Sequence, residues 1–161
     1  MKLLVTCVFF LLASLDCTKL LAQAPSPTIP NFTFYRLDDT PFTKSNLSIN
    51  TKIIFIFFDT DSKPCQKIAE DLEKNFNEFK LTSLYLISLN NPERIEQFMN
   101  KYGKKINDKR NLTLLQDKDK QFINKFSPTK YPAFYIYSAQ GNLIQYFAGA
   151  TKIKELVKAV K

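Results

Sequence analysis

The chain has 161 residues, 45% of them hydrophobic and 14% aromatic, enough to bury one ordinary core and too few for two. Its formal charge of +8 comes from lysines scattered among acids, as in Asp71-Leu72-Glu73-Lys74 and Gln116-Asp117-Lys118-Asp119-Lys120. No dense basic stripe of the kind that grips nucleic acid results. With no histidine and only three glycines, the sequence lacks the commonest metal ligand and general base, and it offers no glycine loop for a nucleotide phosphate.

The amino end reads as a secretory signal peptide over residues 1–24. Met1-Lys2 supplies a positive charge, Leu3 to Leu15 an apolar run, and Ala22-Gln23-Ala24 a small-residue pattern that sets cleavage after Ala22 or Ala24. The run is too short to span a bilayer and Asp16 and Lys19 end it, so no integral membrane span is expected after cleavage. Removal takes Cys7 and Cys17 with it and leaves Cys65 as one thiol. A single thiol forms no internal disulfide, so in an oxidising compartment Cys65 is either buried and inert or reactive and used. The expected location is the periplasm or cell envelope of a Gram-negative bacterium.

Residues 25–30, rich in proline, form an extended lead-in, and the domain is expected over 31–161. Asn31 to Leu37 alternates as a strand, Asp38-Asp39 turns it, and Pro41-Phe42-Thr43 begins the return, which makes a β-hairpin. Ile53 to Phe58 is an unbroken apolar run, rich in β-branched and aromatic types, as in a strand covered on both faces. Ser62 suits a helix N-cap, Pro64 tolerates the first turn, and Ile68, Leu72 and Phe76 recur at helical spacing, with the helix running to about Phe79. Cys65 falls in its first turn, where unpaired N–H groups and the helix dipole favour a thiolate.

Leu81 to Leu89 is a second apolar strand, and the helix between the two makes a parallel crossover unit. Asn91-Pro92 opens the next helix, with Ile95, Phe98, Met99 and Tyr102 on one face and Gly103 closing it. A polar connection, Lys104 to Asn111, leads to an extended Leu112 to Leu115 and a short helix from Lys120 to Phe126. Tyr131-Pro132 precedes the strand Ala133 to Tyr137, Gln140-Gly141-Asn142 turns into Leu143 to Phe147, and Gly149 breaks that strand. Ile153, Leu156, Val157 and Val160 share one face of a final helix.

This order, together with the strand-to-motif-to-helix run FIFFDTDSKPCQKIAEDL, the Tyr131-Pro132 dipeptide and the AQGNLIQYFAG hairpin, resembles the thioredoxin superfamily. The resemblance is to its envelope branch of TlpA-like and AhpC/TSA redoxin domains, from about Pro30 to the carboxyl end. It implies an α/β thioredoxin-like fold, a central mixed sheet flanked by helices with an N-terminal β-hairpin, and a cis peptide bond before Pro132. It also implies a substrate groove of Lys63, Pro64, Tyr131 and Pro132, with a protein thiol, a disulfide or a peptide segment as partner.

The motif departs from that family. Where dithiol members carry C-x-x-C, this chain has Ser62-Lys63-Pro64-Cys65, so Ser62 stands at the place of the attacking cysteine and Cys65 at the place of the resolving one. A hydroxyl neither ionises near neutral pH nor forms a disulfide. Ordinary dithiol exchange is therefore not expected, and a monothiol or binding module is. The alternatives are a one-cysteine peroxidase using Cys65 and a structural envelope protein without thiol chemistry. Peroxiredoxins carry Thr or Ser three residues before their reactive cysteine, which Ser62 matches, and a proline seven residues before it, where this chain has Phe58. Their arginine would have to be Arg36, Arg94 or Arg110. Lys63 reads either as a solvated residue at the motif tip or as a cation lowering the thiol pKa, an effect that Asp59 and Asp61 would oppose. No cofactor is expected, since copper-delivering relatives need paired cysteines and a histidine.

Overall fold

A side chain's parity along each strand decides which side of the sheet it joins. In the computed structural model, which describes residues 24–48 and 50–161, the strands are Thr33–Tyr35 (β1), Pro41–Thr43 (β2), Lys52–Phe58 (β3), Thr82–Ser88 (β4), Leu112–Gln116 (β5), Ala133–Tyr137 (β6) and Leu143–Ala148 (β7). The helices are Lys63–Asn75 (α1), Pro92–Tyr102 (α2), Gln121–Phe126 (α3) and Ile153–Val160 (α4). One mixed sheet has the order β2-β1-β5-β4-β3-β6-β7. Strands β3, β4 and β5 run parallel, as crossovers through α1 and α2 require. Strand β6 lies antiparallel to β3, and β7 closes a hairpin on β6. This is a thioredoxin-like fold, with the β1–β2 hairpin added through β5.

In β3, Ile54, Ile56 and Phe58 face α1, α2 and α4, where Ile68, Leu72, Phe98, Met99 and Leu156 meet them. Ile53, Phe55 and Phe57 face the other way, into an aromatic layer built with Phe34 and Phe42 of the hairpin, Phe122 and Phe126 of α3, and Tyr135 and Tyr137 of β6. Phe122 stacks on Phe57 at 4.6 Å and on Phe126 at 4.3 Å between centroids, so α3 is held by its aromatic side chains. A run apolar at every position is thus the sequence of a strand with a core on each face.

Several expected boundaries shift. The first helix stays α-helical only to Asn75 and then tightens into a 3-10 turn, Phe76–Phe79, which buries Phe79. The polar connection after α2 contains a 3-10 turn, Lys104–Ile106, anchored by the buried Ile106. Gly103 ends α2 at φ −142°, outside the left-handed region. Its need for a small residue comes from packing, because a Cβ there would lie 2.7 Å from the Met99 methyl. The lead-in is tied to the β6–β7 turn: the Leu143 N–H donates to Pro27 O at 2.8 Å and the Ile29 N–H to Gly141 O at 3.0 Å. Ile29 is buried, so core residues begin ahead of Asn31, in a stretch whose prolines disguise the pairing. The expected signal peptide, Ala24 apart, lies outside the described residues. Among the described residues no helix is long and apolar enough to cross a membrane.

Candidate functional site

The motif is built by a strand that ends abruptly and a helix that starts at once. After Phe58 the chain turns through Asp59 to Asp61, with the Asp59 carboxylate accepting the Asp61 N–H at 2.8 Å and the Ser62 N–H donating to Asp59 O at 3.2 Å. Ser62 is the N-cap of α1 in extended backbone, φ −76° and ψ 115°, and its side chain makes no capping bond. Its carbonyl accepts the Gln66 N–H at 3.0 Å, which leaves Lys63, Pro64 and Cys65 as the first turn.

Cys65 points inward and is 0% exposed. It adjoins a void of about 10 Å³ lined by apolar residues, Ile56, Phe58, Leu86 and Phe98 among them, which is no larger than a single water needs and offers that water almost nothing polar. Burial pushes the thiol pKa above its ordinary value. The Ser62 hydroxyl and an Asp59 backbone group favour the thiolate, while the Asp59 charge opposes it, and burial outweighs the favourable pair. The helix N-terminus therefore does not deliver the activated thiolate that its position in the sequence suggests, because desolvation of the charged form wins.

Across from the motif, the Tyr131–Pro132 peptide bond is cis. Pro132 is buried and its carbonyl accepts the Gly149 N–H at 2.8 Å. The Tyr131 ring leans on Phe57 with centroids 5.0 Å apart and is 36% exposed. Burial raises the Tyr131 pKa, and the charges of Asp59, Cys65 and Asp117 add to that. Beside it opens a cleft of about 210 Å³ lined by Phe57, Ile123, Pro128, Thr129, Lys130 and Tyr131.

The residues singled out from sequence occupy three settings. Lys63 and Pro64 are exposed at the tip of the motif; Cys65 and Pro132 are buried; Ser62 is half-buried and Tyr131 half-exposed against the cleft. Of the three arginines, Arg94 on α2 reaches the motif loop, its guanidinium 2.5 Å from the Asp61 carboxylate, while Arg36 lies over the Phe42 ring at 4.8 Å. Two residues of this region carry no sequence signal of their own. Thr60 is 8% exposed with a hydroxyl that has no hydrogen-bond partner. Asp117 is 1% exposed, and its two oxygens accept the N–H groups of Gln121 at 2.9 Å and Phe122 at 2.8 Å. Asp117 sits in a run of alternating charges that reads as surface, and only its place four residues before an aromatic helix hints at a cap. Among the described residues no cluster of three or more His, Cys, Asp or Glu could hold a metal ion.

A model described as the AhpC/TSA family matches residues 25–146. No curated protein matches the chain. Among solved structures, MTB DsbF, in mixed oxidised and reduced forms, is 22% identical, with 83% of this chain and 97% of that one covered and a TM-score of 0.69. A thioredoxin-like protein from Aeropyrum pernix is 15% identical, with coverage of 81% and 88% and a TM-score of 0.67. A secreted Mycobacterium tuberculosis disulfide oxidoreductase homologous to E. coli DsbE is 22% identical, with coverage of 80% and 93% and a TM-score of 0.66. At these identities the likeness is one of fold.

Proposed function

The chain belongs to the AhpC/TSA family, and on that premise we propose that it is an exported redoxin-type protein that binds a protein segment beside Tyr131 without exchanging disulfides. Its neighbours in the fold include a secreted disulfide oxidoreductase and a thiol-disulfide oxidoreductase. In this chain Ser62 occupies the place of the attacking cysteine, and Cys65 is the one cysteine among the described residues. The observation that carries the reading is the 0% exposure of Cys65. A resolving thiol so enclosed, with no partner thiol ahead of it, has neither access to a substrate disulfide nor the proximity that makes a C-x-x-C pair fast. The same burial, with the raised thiol pKa, works against the peroxidase alternative, which needs an accessible thiolate.

What remains usable is a surface. The cleft beside Tyr131 offers apolar walls, Phe57 and Ile123, with Thr129 and Lys130 at its edge, a composition suited to an extended segment that carries an apolar side chain. Three measurements test the reading. Insulin reduction by dithiothreitol should run at the background rate, and Cys65 in the folded protein should alkylate far more slowly than free cysteine. A reduced, carboxymethylated unfolded protein should bind and lose most of that binding in Tyr131→Ala. Robust insulin reduction abolished by Cys65→Ala, or dimedone capture of a rapidly formed sulfenic acid, would overturn it. Export is tested separately by amino-terminal sequencing of the processed chain, with a start at Gln23 or Pro25 expected.

A further inference from the structure

The fold gathers charge that the sequence spreads. The parallel run of β3, β4 and β5 puts their starts at one end of the sheet and the motif at the other. Helices α1, α2 and α4 finish at the end where the strands start: Lys52 donates to Val160 O at 3.0 Å, Lys105 pairs with Glu73 and Lys161 with Glu78. From Ala24 onward the chain has 21 basic residues and 14 acids. Lys52 and the stretches 73–80, 101–111 and 158–161 hold ten of those basic residues and three of the acids, Glu73, Glu78 and Asp108. All of the net positive charge is therefore found at this end, and the rest of the domain is neutral.

Salt bridges take up Glu73 and Glu78. Lys74, Lys80, Lys104, Lys109 and Arg110 stay exposed, with no ion-pair partner among the described residues. Next to Lys80, Leu81 protrudes at 88% exposure, twice that of any other large apolar side chain among the described residues. Its place is fixed by Asn111, whose Nδ2 donates to Phe79 O and Thr82 O, both at 2.9 Å, and so clamps the backbone on each side of Lys80-Leu81. An acidic protein would answer the charge but would need a pocket of its own for the leucine. A bilayer with anionic headgroups answers both, taking the apolar side chain at the headgroup–acyl boundary and the cations at the phosphates.

We propose that this end of the sheet docks on an anionic lipid bilayer, with Leu81 inserted at the interface and Lys80, Lys109 and Arg110 on lipid phosphates. Strand β3 separates that end from the motif by roughly 20 Å, at about 3.3 Å per residue, so the cleft beside Tyr131 faces away from the lipid. The lead-in enters at the docked end too. It pairs with Gly141 and Leu143, in the turn after Tyr137, and Tyr137 lies opposite Ile53 near the start of β3.

The test uses the processed protein and vesicles of phosphatidylethanolamine with phosphatidylglycerol, against vesicles of phosphatidylcholine alone. The protein should sediment with the anionic vesicles at about 0.05 M salt, at least about tenfold more tightly than with the neutral ones, and lose most of that binding by about 0.3 M salt. Lys80→Gln, Lys109→Gln and Arg110→Gln together should weaken it at least about tenfold. Lys120→Gln, Lys152→Gln and Lys154→Gln, which remove the same charge from the motif end, should weaken it less than about twofold. Leu81→Ser should cost about threefold. The chain has no tryptophan, so Leu81→Trp gives a lone reporter whose emission should move to shorter wavelength with anionic vesicles and stay put with heparin, a soluble polyanion. Equal binding to both kinds of vesicle, or none to the anionic ones, would overturn the proposal. Equal losses in the two triple variants would show that net charge acts instead of this face. A reporter that stays unshifted while the protein is bound, with heparin held as tightly as the vesicles, would replace the bilayer with an acidic macromolecule.

Discussion

Helices α1 and α2, which pack against each other on one side of the sheet, begin differently. Both carry proline in the first turn. Helix α2 is capped as its sequence dictates, with the Asn91 side chain accepting the Arg94 N–H at 3.0 Å. Helix α1 has a residue equally able to cap, yet the Ser62 side chain makes no such bond and its hydroxyl lies near enough to the Cys65 sulfur to favour its thiolate. One helix start is finished for stability and the other is left open at the motif that carries Cys65. The lesson is that a cap residue in the sequence fixes where a helix begins without fixing what its side chain binds.

The sharpest way to break that contrast lies in α3, whose start depends on one carboxylate. Asp117→Ala strips acceptors from two N–H groups, one of them in the buried Phe122, and should cost about 2–4 kcal/mol. Urea unfolding measures it. Because α3 brings Phe122 and Ile123 to the Tyr131 side, binding of the unfolded client should fall with it, and unchanged binding would separate the cleft from the helix.

The next effect is one of pH and belongs to the open end of α1. Burial raises the Cys65 pKa, so the folded state holds its proton more tightly than the unfolded state. The stability this gives is fully present below the unfolded thiol pKa, about 8.5, and is lost as pH rises through the higher folded value, at up to about 1.4 kcal/mol per pH unit. Tyr135 and Tyr137, also raised by burial, add their loss above about pH 10. Cys65→Ala should lower stability at pH 7 by about 1–2 kcal/mol through the space it leaves. It should also flatten the decline between about pH 8.5 and 10, which urea midpoints across that range would show. An equally steep decline in the variant would mean that Cys65 is not the group responsible.

Most of the fold was legible because its signals are local and agree with one another. The apolar run Ile53 to Phe58, the Asn91-Pro92 start and the amphipathic Ile153 to Val160 each name an element by residue type alone. The cis bond before Pro132 came through resemblance. The site was legible only in outline. That Cys65 faces inward depends on α1 being rotated so that Ile68, Ala69 and Leu72 meet the sheet, and position 65 shares that face by helical spacing. The pattern therefore held the answer, but the argument from the helix dipole concealed it. Thr60, Arg94 and Asp117 were out of reach for another reason. Thr60 and Arg94 are held by partners far off in sequence, Asn90 and Asp61, whereas Asp117 serves N–H groups only four and five residues ahead and is hidden by the charged run around it.

The smallest effects return to the two helix starts. Asn91→Ala removes a working cap and should cost about 1 kcal/mol. Ser62→Ala removes a side chain that caps nothing and should cost less than about 0.5 kcal/mol. Ser62→Asp separates the causes further. If the α1 start is open only because serine turns toward the sulfur, aspartate should reach the free N–H groups and stabilise the protein by about 0.5–1 kcal/mol, while its charge raises the Cys65 pKa still more. Alkylation of Cys65 in denaturant-free buffer should then slow as the melting temperature rises. A fall in stability would show instead that Asp59 and Asp61, both within three residues, repel a third carboxylate more than the helix end attracts it. In that case the open start reflects the acidity of the motif loop rather than the pull of the thiol.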